Sequence, residues 1–212
     1  MKNIFKPMLF SAEMVNAILD GSKTQTRRTQ GILVNDEPNN WTLNPDFAED
    51  GMFIFRNSDN TQGYFPVPRF DKGDIIWVRE TFFPKEIHEE PPGTIAHYKA
   101  TDAFASNKWK PSIFMPKKAC RLFLKVKNVK IERLQQISEI DAISEGCAKY
   151  GPFGEYKGSL HPNGGMMRYR AYSKASRAFQ CIWETVNGSV SWNKNPFVWV
   201  IEFERIDKPK DF

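Results

Sequence analysis

The sequence predicts an α+β fold, and three observations predict it. Extended runs strong in β-branched and aromatic residues recur at 75–82, 119–134 and 197–203. Segments with helical spacing and matching cap residues stand near 11–21, 137–146 and 167–186. Two aromatic arms, 52–55 and 64–67, flank Asn57-Ser58-Asp59-Asn60-Thr61-Gln62-Gly63 and read as a β-hairpin. With 212 residues, 41% hydrophobic and 14% aromatic, the chain can bury one sizeable core, so a single domain with long insertions is expected.

Taken in order, Pro7-Met8-Leu9-Phe10 reads as a buried strand entering a helix. Ser11 is its N-cap, Glu13 suits the positive end of the helix dipole, and Gly21 falls where a left-handed residue closes the helix. Met14, Val15, Ile18 and Leu19 form its apolar stripe. Residues 29–50 lack periodicity and read as a surface excursion. Prolines in the second arm of the hairpin place that arm at an edge. Asp71-Lys72-Gly73-Asp74 turns into the strand 75–82, where Ile76, Val78 and Glu80 share a face. Glu80 then ends a buried row and needs a cation, with Arg79, Lys23 and the Arg27-Arg28 pair as candidates.

Residues 84–110 are loop-like around Pro91-Pro92-Gly93, although 95–100 reads as an added strand. In 119–134 apolar and charged residues alternate, and Asn128 reads as a bend that divides the run into two barrel strands. Lys117 and Arg121, at its start, are candidates for ligand contact. Ser138 with Asp141 makes a capping pattern, and Gly146 ends the helix. Glu145 precedes that glycine, where the dipole disfavours an acid, so pairing with Lys23 or an arginine would give it a reason. Residues 147–165, rich in Gly and Pro, read as a candidate lid. A helix from 167 to 186 follows, with Arg168, Arg170, Lys174 and Arg177 on its polar side. The strand 197–203 is apolar at nearly every position and reads as buried on both faces. The tail 208–210 reads as frayed.

The net charge of +5 and a pI near 9.0 favour an anionic partner, of which nucleic acid is the commonest large one. Cys120, Cys147 and Cys181 are an odd, scattered set with no metal-ligand spacing, which argues for a reduced compartment and against structural zinc. His88, His97 and His161 stand in irregular surroundings, each a weak candidate base. No segment has signal-peptide or membrane-spanning character, so a cytoplasmic protein without metal or cofactor is expected.

The stretch with most chemistry is Gly21-Ser22-Lys23-Thr24-Gln25-Thr26-Arg27-Arg28, an amine, hydroxyls and two guanidiniums with no acid among them. In a regular strand Thr24, Thr26 and Arg28 would share one face and Lys23, Gln25 and Arg27 the other. For Lys23 and Thr26 to converge, Lys23 must belong to the turn before the ladder. The same stretch also reads as a solvent-exposed basic edge strand.

The ordered set of Gly-x-Lys-Thr-x-Thr-x-Arg after a helix, Gly-Asp before a strand ending Val-Arg-Glu-Thr, a bent strand, a Ser-Glu-x-x-Ala-x-x-Glu-Gly helix and a final Trp-Val-Ile-Glu-Phe strand resembles the ASCH domain. The likeness is to the larger form common among phage and prophage proteins, with 29–70 and 84–110 as insertions. It implies a PUA-like mixed β-barrel with flanking helices and hairpin insertions. It also implies recognition of RNA or a modified nucleotide or nucleoside. A branch of the family hydrolyses N4-acetylcytidine with a lysine, a threonine and a glutamate, which match Lys23, Thr26 and Glu145 here. This chain is about twice as long and has Arg28 after Arg27, so its substrate can differ. The alternatives are a noncatalytic RNA-binding module or a ribonuclease. In the noncatalytic one Arg27, Arg28, Lys117 and Arg121 hold phosphate, aromatics such as Trp77 stack on a base, and Arg79 and Glu80 lie nearby.

Overall fold

The computed structural model describes residues 4–44, 53–85, 95–102, 108–150, 155–160 and 169–212. In chain order its elements are β1 (Phe5–Leu9), α1 (Ala12–Leu19), β2 (Gln25–Arg28), β3 (Trp41–Asn44), β4 (Ile54–Asn57), β5 (Gly63–Tyr64), β6 (Ile75–Arg79), β7 (Phe82–Pro84) and β8 (Ala96–Tyr98). Then come β9 (Phe123–Arg133), α2 (Glu139–Ser144), β10 (Lys149–Tyr150), β11 (Glu155–Leu160), β12 (Tyr169–Tyr172), α3 (Ala175–Asn187) and β13 (Phe197–Ile206). The class is α+β, as expected. Among the described residues the strands form one mixed five-stranded sheet and three smaller sheets of three, three and two strands.

The chain divides into two compact units. The first comprises Met1–Gly21, Lys72–Lys127 and Phe203–Phe212; the second comprises Ser22–Asp71 and Asn128–Glu202. β9 is one continuous strand of 11 residues, so Asn128 does not split it into two as its composition suggested. Instead β9 supplies residues to both units, as does β13.

In the first unit β1 runs parallel to β6, with Phe5 beside Ile75 and Leu9 beside Arg79, and β6 is antiparallel to β9. The turn before β6 works because Gly73 takes a φ of 95° and donates its N–H to Val126 O. Ser11 caps α1 by accepting from Met14 N, and Val15 and Ile18 are the buried part of its stripe. Gly21, at φ 82°, closes that helix. β7 and β8 form a hairpin whose Phe82 and Tyr98 face each other and pack with Ile75, Met115 and Phe123. The tail is not frayed: the Phe212 ring lies 4.5 Å from that of Phe123 and 5.1 Å from that of Phe5. An aromatic side chain two residues past the lysine-rich end has enough apolar surface to hold the tail down.

In the second unit β13 pairs antiparallel with β2, Val200 opposite Arg27 and Ile201 opposite Thr26, and its other neighbour is β9. One face of β13 packs under α3, where Phe179 and Trp183 meet Val198, Val200 and Ala142 of α2. The other face takes Phe53 against Trp199, with ring centroids 5.2 Å apart. The hairpin expected around 57–63 is present as β4 and β5, and β5 is an edge strand. The excursion 29–50 is less irregular than it reads: Ile32 and Val34 are buried, and β3 adds a third strand to the hairpin. Residues 45–52 lie outside the described residues.

Two expectations are overturned here. The stretch read as a lid contains β10 and β11, which pair with β12 in an antiparallel sheet. The helix read from 167 begins only at Ala175, because Tyr169–Tyr172 is strand β12. Residues 151–154 and 161–168, with Arg168, lie outside the described residues. The helix end is where Gly188 places it, at φ 94°.

Candidate functional site

The lysine and the glutamate singled out in the sequence meet inside the second unit. Lys23 forms an isolated antiparallel bridge with Glu145, 122 residues further along. Its Nζ lies 2.7 Å from Glu145 Oε2 and also donates to the carbonyls of Glu145, at 2.8 Å, and Gln25, at 2.9 Å. All three N–H donors of the ammonium are thus used. The two side chains are 1% and 5% exposed.

Glu145 is held from both sides. Arg27 Nη1 donates to its Oε1 at 3.1 Å, while Arg27 Nε and Nη2 both reach Glu132 Oε1 and Nη2 lies 3.5 Å from Asp141 Oδ2. The guanidinium also sits 5.8 Å from the Phe179 ring centroid, its side chain fully covered. Gln25 Nε2 donates to Asp141 O at 2.8 Å. In this network Lys23 and Arg27 face Glu145, Glu132 and Asp141, and Lys130 Nζ, 3.5 Å from Glu132 Oε2, adds a third cation at its exposed rim. The network resolves why an acid stands at the unfavourable end of α2: buried pairing outweighs a dipole penalty of a few tenths of a kcal/mol, roughly.

Local sequence makes the arrangement. Ser138 accepts from Asp141 N, and the Asp141 carboxylate accepts from the Ser138 amide, the expected capping box. Gly146, at φ 97°, stops α2 directly after Glu145, and Thr24 N donates to Ser144 O. The helix end and the turn before β2 are thereby stitched together.

Burial pushes the Lys23 amine below its ordinary value; the charge and hydrogen bond of Glu145 oppose this, and Arg28 adds to it. Burial likewise pushes the half-buried Arg28 down, against the attraction of Glu145. The Cys147 thiol is pushed up to about 12, chiefly by burial and then by Glu145, so it is no nucleophile at neutral pH. The Lys23 amine is therefore expected to titrate with a midpoint below 10.5, and Glu145→Gln, which removes the main upward influence, should lower it further. A folded value below the unfolded one means that this group contributes most above 10.5 and loses that contribution as pH falls through its folded midpoint. Lysine-selective NMR reads the titration; a midpoint at or above 10.5 would contradict it.

Thr26 does not join this cluster. Cross-strand partners share a face, so Arg27 lies with Val200 under α3, while Thr26 lies with Ile201 on the face that carries Trp199 and Phe53. The convergence of Lys23 with Thr26 needed a turn that breaks the alternation. Lys23 instead keeps step with Gln25 and Arg27, because all three bind the α2 side of the sheet.

The remaining candidates belong to the first unit. Glu80, 1% exposed, finds its cation in Arg121 and not in Arg79, Lys23 or the Arg27-Arg28 pair: Nε and Nη2 of Arg121 reach Oε1 and Oε2 at 2.8 and 2.9 Å. Arg79 donates to Ile113 O and lies 5.5 Å from the Trp77 ring centroid. Trp77 packs towards Phe212, at 6.3 Å. The Lys117 ammonium sits 4.2 Å from the Phe212 centroid. Glu132 and Gln25 were not singled out as site residues in the sequence: Glu132 stands on β9, which β13 separates from β2, and Gln25 reaches Asp141 of α2, so no local spacing joins either to the cluster. His88 and His161 lie outside the described residues. Among the described residues no three His, Cys, Asp or Glu side chains are grouped to hold a metal ion, and no helix is long and apolar enough to cross a membrane.

Compared with protein-family models, curated proteins and solved structures, the chain matches none.

Proposed function

We propose that this is an ASCH-type, PUA-like protein that binds a modified nucleoside, free or within RNA, and hydrolyses the exocyclic amide of an N4-acylated cytidine with Lys23 and Glu145 as its acid–base pair. The observation that carries the reading is the 2.7 Å contact between a buried amine and a buried carboxylate that stand 122 residues apart in the chain. Amide hydrolysis needs one group to take a proton from the attacking oxygen and another to protonate the leaving amine. With Thr26 on the other face of β2, the attacking oxygen is that of water. One member of the pair accepts its proton as the C–O bond forms; the other delivers a proton to N4 as the C–N bond breaks. Substrate entry requires the Glu145 side chain to release Lys23, and the glycine that follows supplies a pivot.

A second reading is supported by the filled hydrogen bonds of Lys23 and its 1% exposure. In it the network is structural and the protein binds RNA without turning it over. Product release from N4-acetylcytidine, followed by mass detection, separates the two. Turnover should fall at least a hundredfold in Lys23→Ala and stay within about threefold in Thr26→Val. Wild-type protein that releases no cytidine, yet binds RNA with an affinity that falls steeply with salt, would establish the binding reading instead.

A further inference from the structure

The second unit contains a cavity of about 330 Å³, at the lower end of the range for small-molecule sites, that the Lys23–Glu145 pair does not itself line. Trp41 of β3, Glu132 and Arg133 of β9, Gln136 just beyond it and Phe197 of β13 stand in its wall. Arg133 builds that wall. Its guanidinium lies 3.8 Å from the Phe197 ring centroid, Nη1 donates to Asn195 O at 3.2 Å, and Nη2 donates to Pro38 O at 2.6 Å and to Trp41 O at 3.3 Å. It thereby ties the turn before β3 to the start of β13. With three of its five N–H donors committed to carbonyls and one face against a ring, it offers a ligand its second flat face and not a phosphate fork.

Gln136 is oriented as well. Its Oε1 accepts from Arg133 N at 2.9 Å, which leaves the amide N–H donors for the cavity. The Trp41 side chain is half-buried and, among the described residues, its ring makes no aromatic contact and its indole N–H no hydrogen bond. An unengaged ring, a guanidinium plane and amide and indole donors around a cavity of this size suit a planar heterocycle with acceptors on its edge, which is what a nucleobase is. Glu132 sets the distance to the other site: its Oε1 accepts from Arg27, whose Nη1 reaches Glu145 Oε1 at 3.1 Å, so one residue separates this cavity from the Lys23–Glu145 pair.

We propose that the cavity holds the base of a nucleotide next to the one acted on, with Trp41 and Arg133 as stacking surfaces and Gln136 as a donor to the base edge. The inference rests on the nucleoside-binding reading and narrows it: the modified cytidine is taken within an RNA strand and not as a free nucleoside.

Calorimetric titration of the whole chain with three trinucleotide RNAs tests this: a central cytidine with both flanking bases, with the 5′ base removed to leave an abasic ribose, and with the 3′ base removed. Removal of one of the two flanking bases should weaken binding at least tenfold, the usual worth of one stacked base. In Trp41→Leu, which keeps β3 covered but has no flat ring, the same removal should change affinity less than threefold, and Trp41→Phe should restore the difference. The Trp41 indole N–H resonance of the unsubstituted protein should shift with the RNA that carries this base and not with the RNA that lacks it. Equal affinities for the three RNAs, a flanking-base effect unchanged in Trp41→Leu, an unmoved indole resonance, or no binding at millimolar concentration overturns the site. Binding is read here without turnover. RNAs that bind as expected while N4-acetylcytidine is not hydrolysed leave this site standing and remove the hydrolase; hydrolysis by a protein indifferent to the flanking bases does the reverse.

Discussion

Glu145→Leu is expected to cost about 3–5 kcal/mol of folding stability at neutral pH, the usual penalty for stranding a buried charge. Lys23 would keep two carbonyl acceptors but lose its carboxylate, at a position where its side chain is 1% exposed. Arg27 would keep Glu132 and Asp141 and so suffers less. The amine can escape by releasing its proton, so the loss should shrink as pH rises from 6 to 9. Lys23→Met added to Glu145→Leu removes both charges, and the double variant should recover most of the loss, because a well-packed apolar pair is often as stable as the ion pair it replaces. Urea unfolding of the four proteins of this cycle measures the coupling. A single variant as stable as the parent would show that the network carries no energy.

Arg121→Met should have an effect of similar size. It leaves the Glu80 carboxylate, 1% exposed, with no cation, again at about 3–5 kcal/mol. Glu80→Leu should cost less than half as much, since the Arg121 side chain is 27% exposed and keeps water, Thr101 and the Tyr98 ring. Unfolding curves of the two variants at neutral pH check both statements; an order reversed between them would contradict the burial argument.

The parts of the fold legible in the sequence are those set by local chemistry. Ser11, Ser138, Gly21 and Gly146 mark helix ends because cap geometry depends on single residues. The apolar run of β13 declared a strand covered on both faces. Residues 147–172 misled for a physical reason as well. Glycines and prolines there suggested a loop, and the spacing of Tyr169 and Tyr172 imitates a helix over its first turn, while pairing between β10, β11 and β12 depends on partners further along the chain. The site was half legible. Strand alternation already set Lys23, Gln25 and Arg27 apart from Thr26, and the structure keeps that alternation through Lys23. The Glu80–Arg121 pair was hidden, because a cation's partner across 41 residues is decided by packing and not by spacing.

The six residues of α2 are too few to hold a helix unaided in water. It persists because Asp141 anchors its first turn to Ser138 and Gln25, and Glu145 with the Ser144 carbonyl anchors its last to Lys23 and Thr24. Helix and turn are therefore buttoned at both ends and come undone together: whatever molecule prises the amine from its carboxylate must unravel a turn of backbone as well, and that toll will fall on the rate of entry.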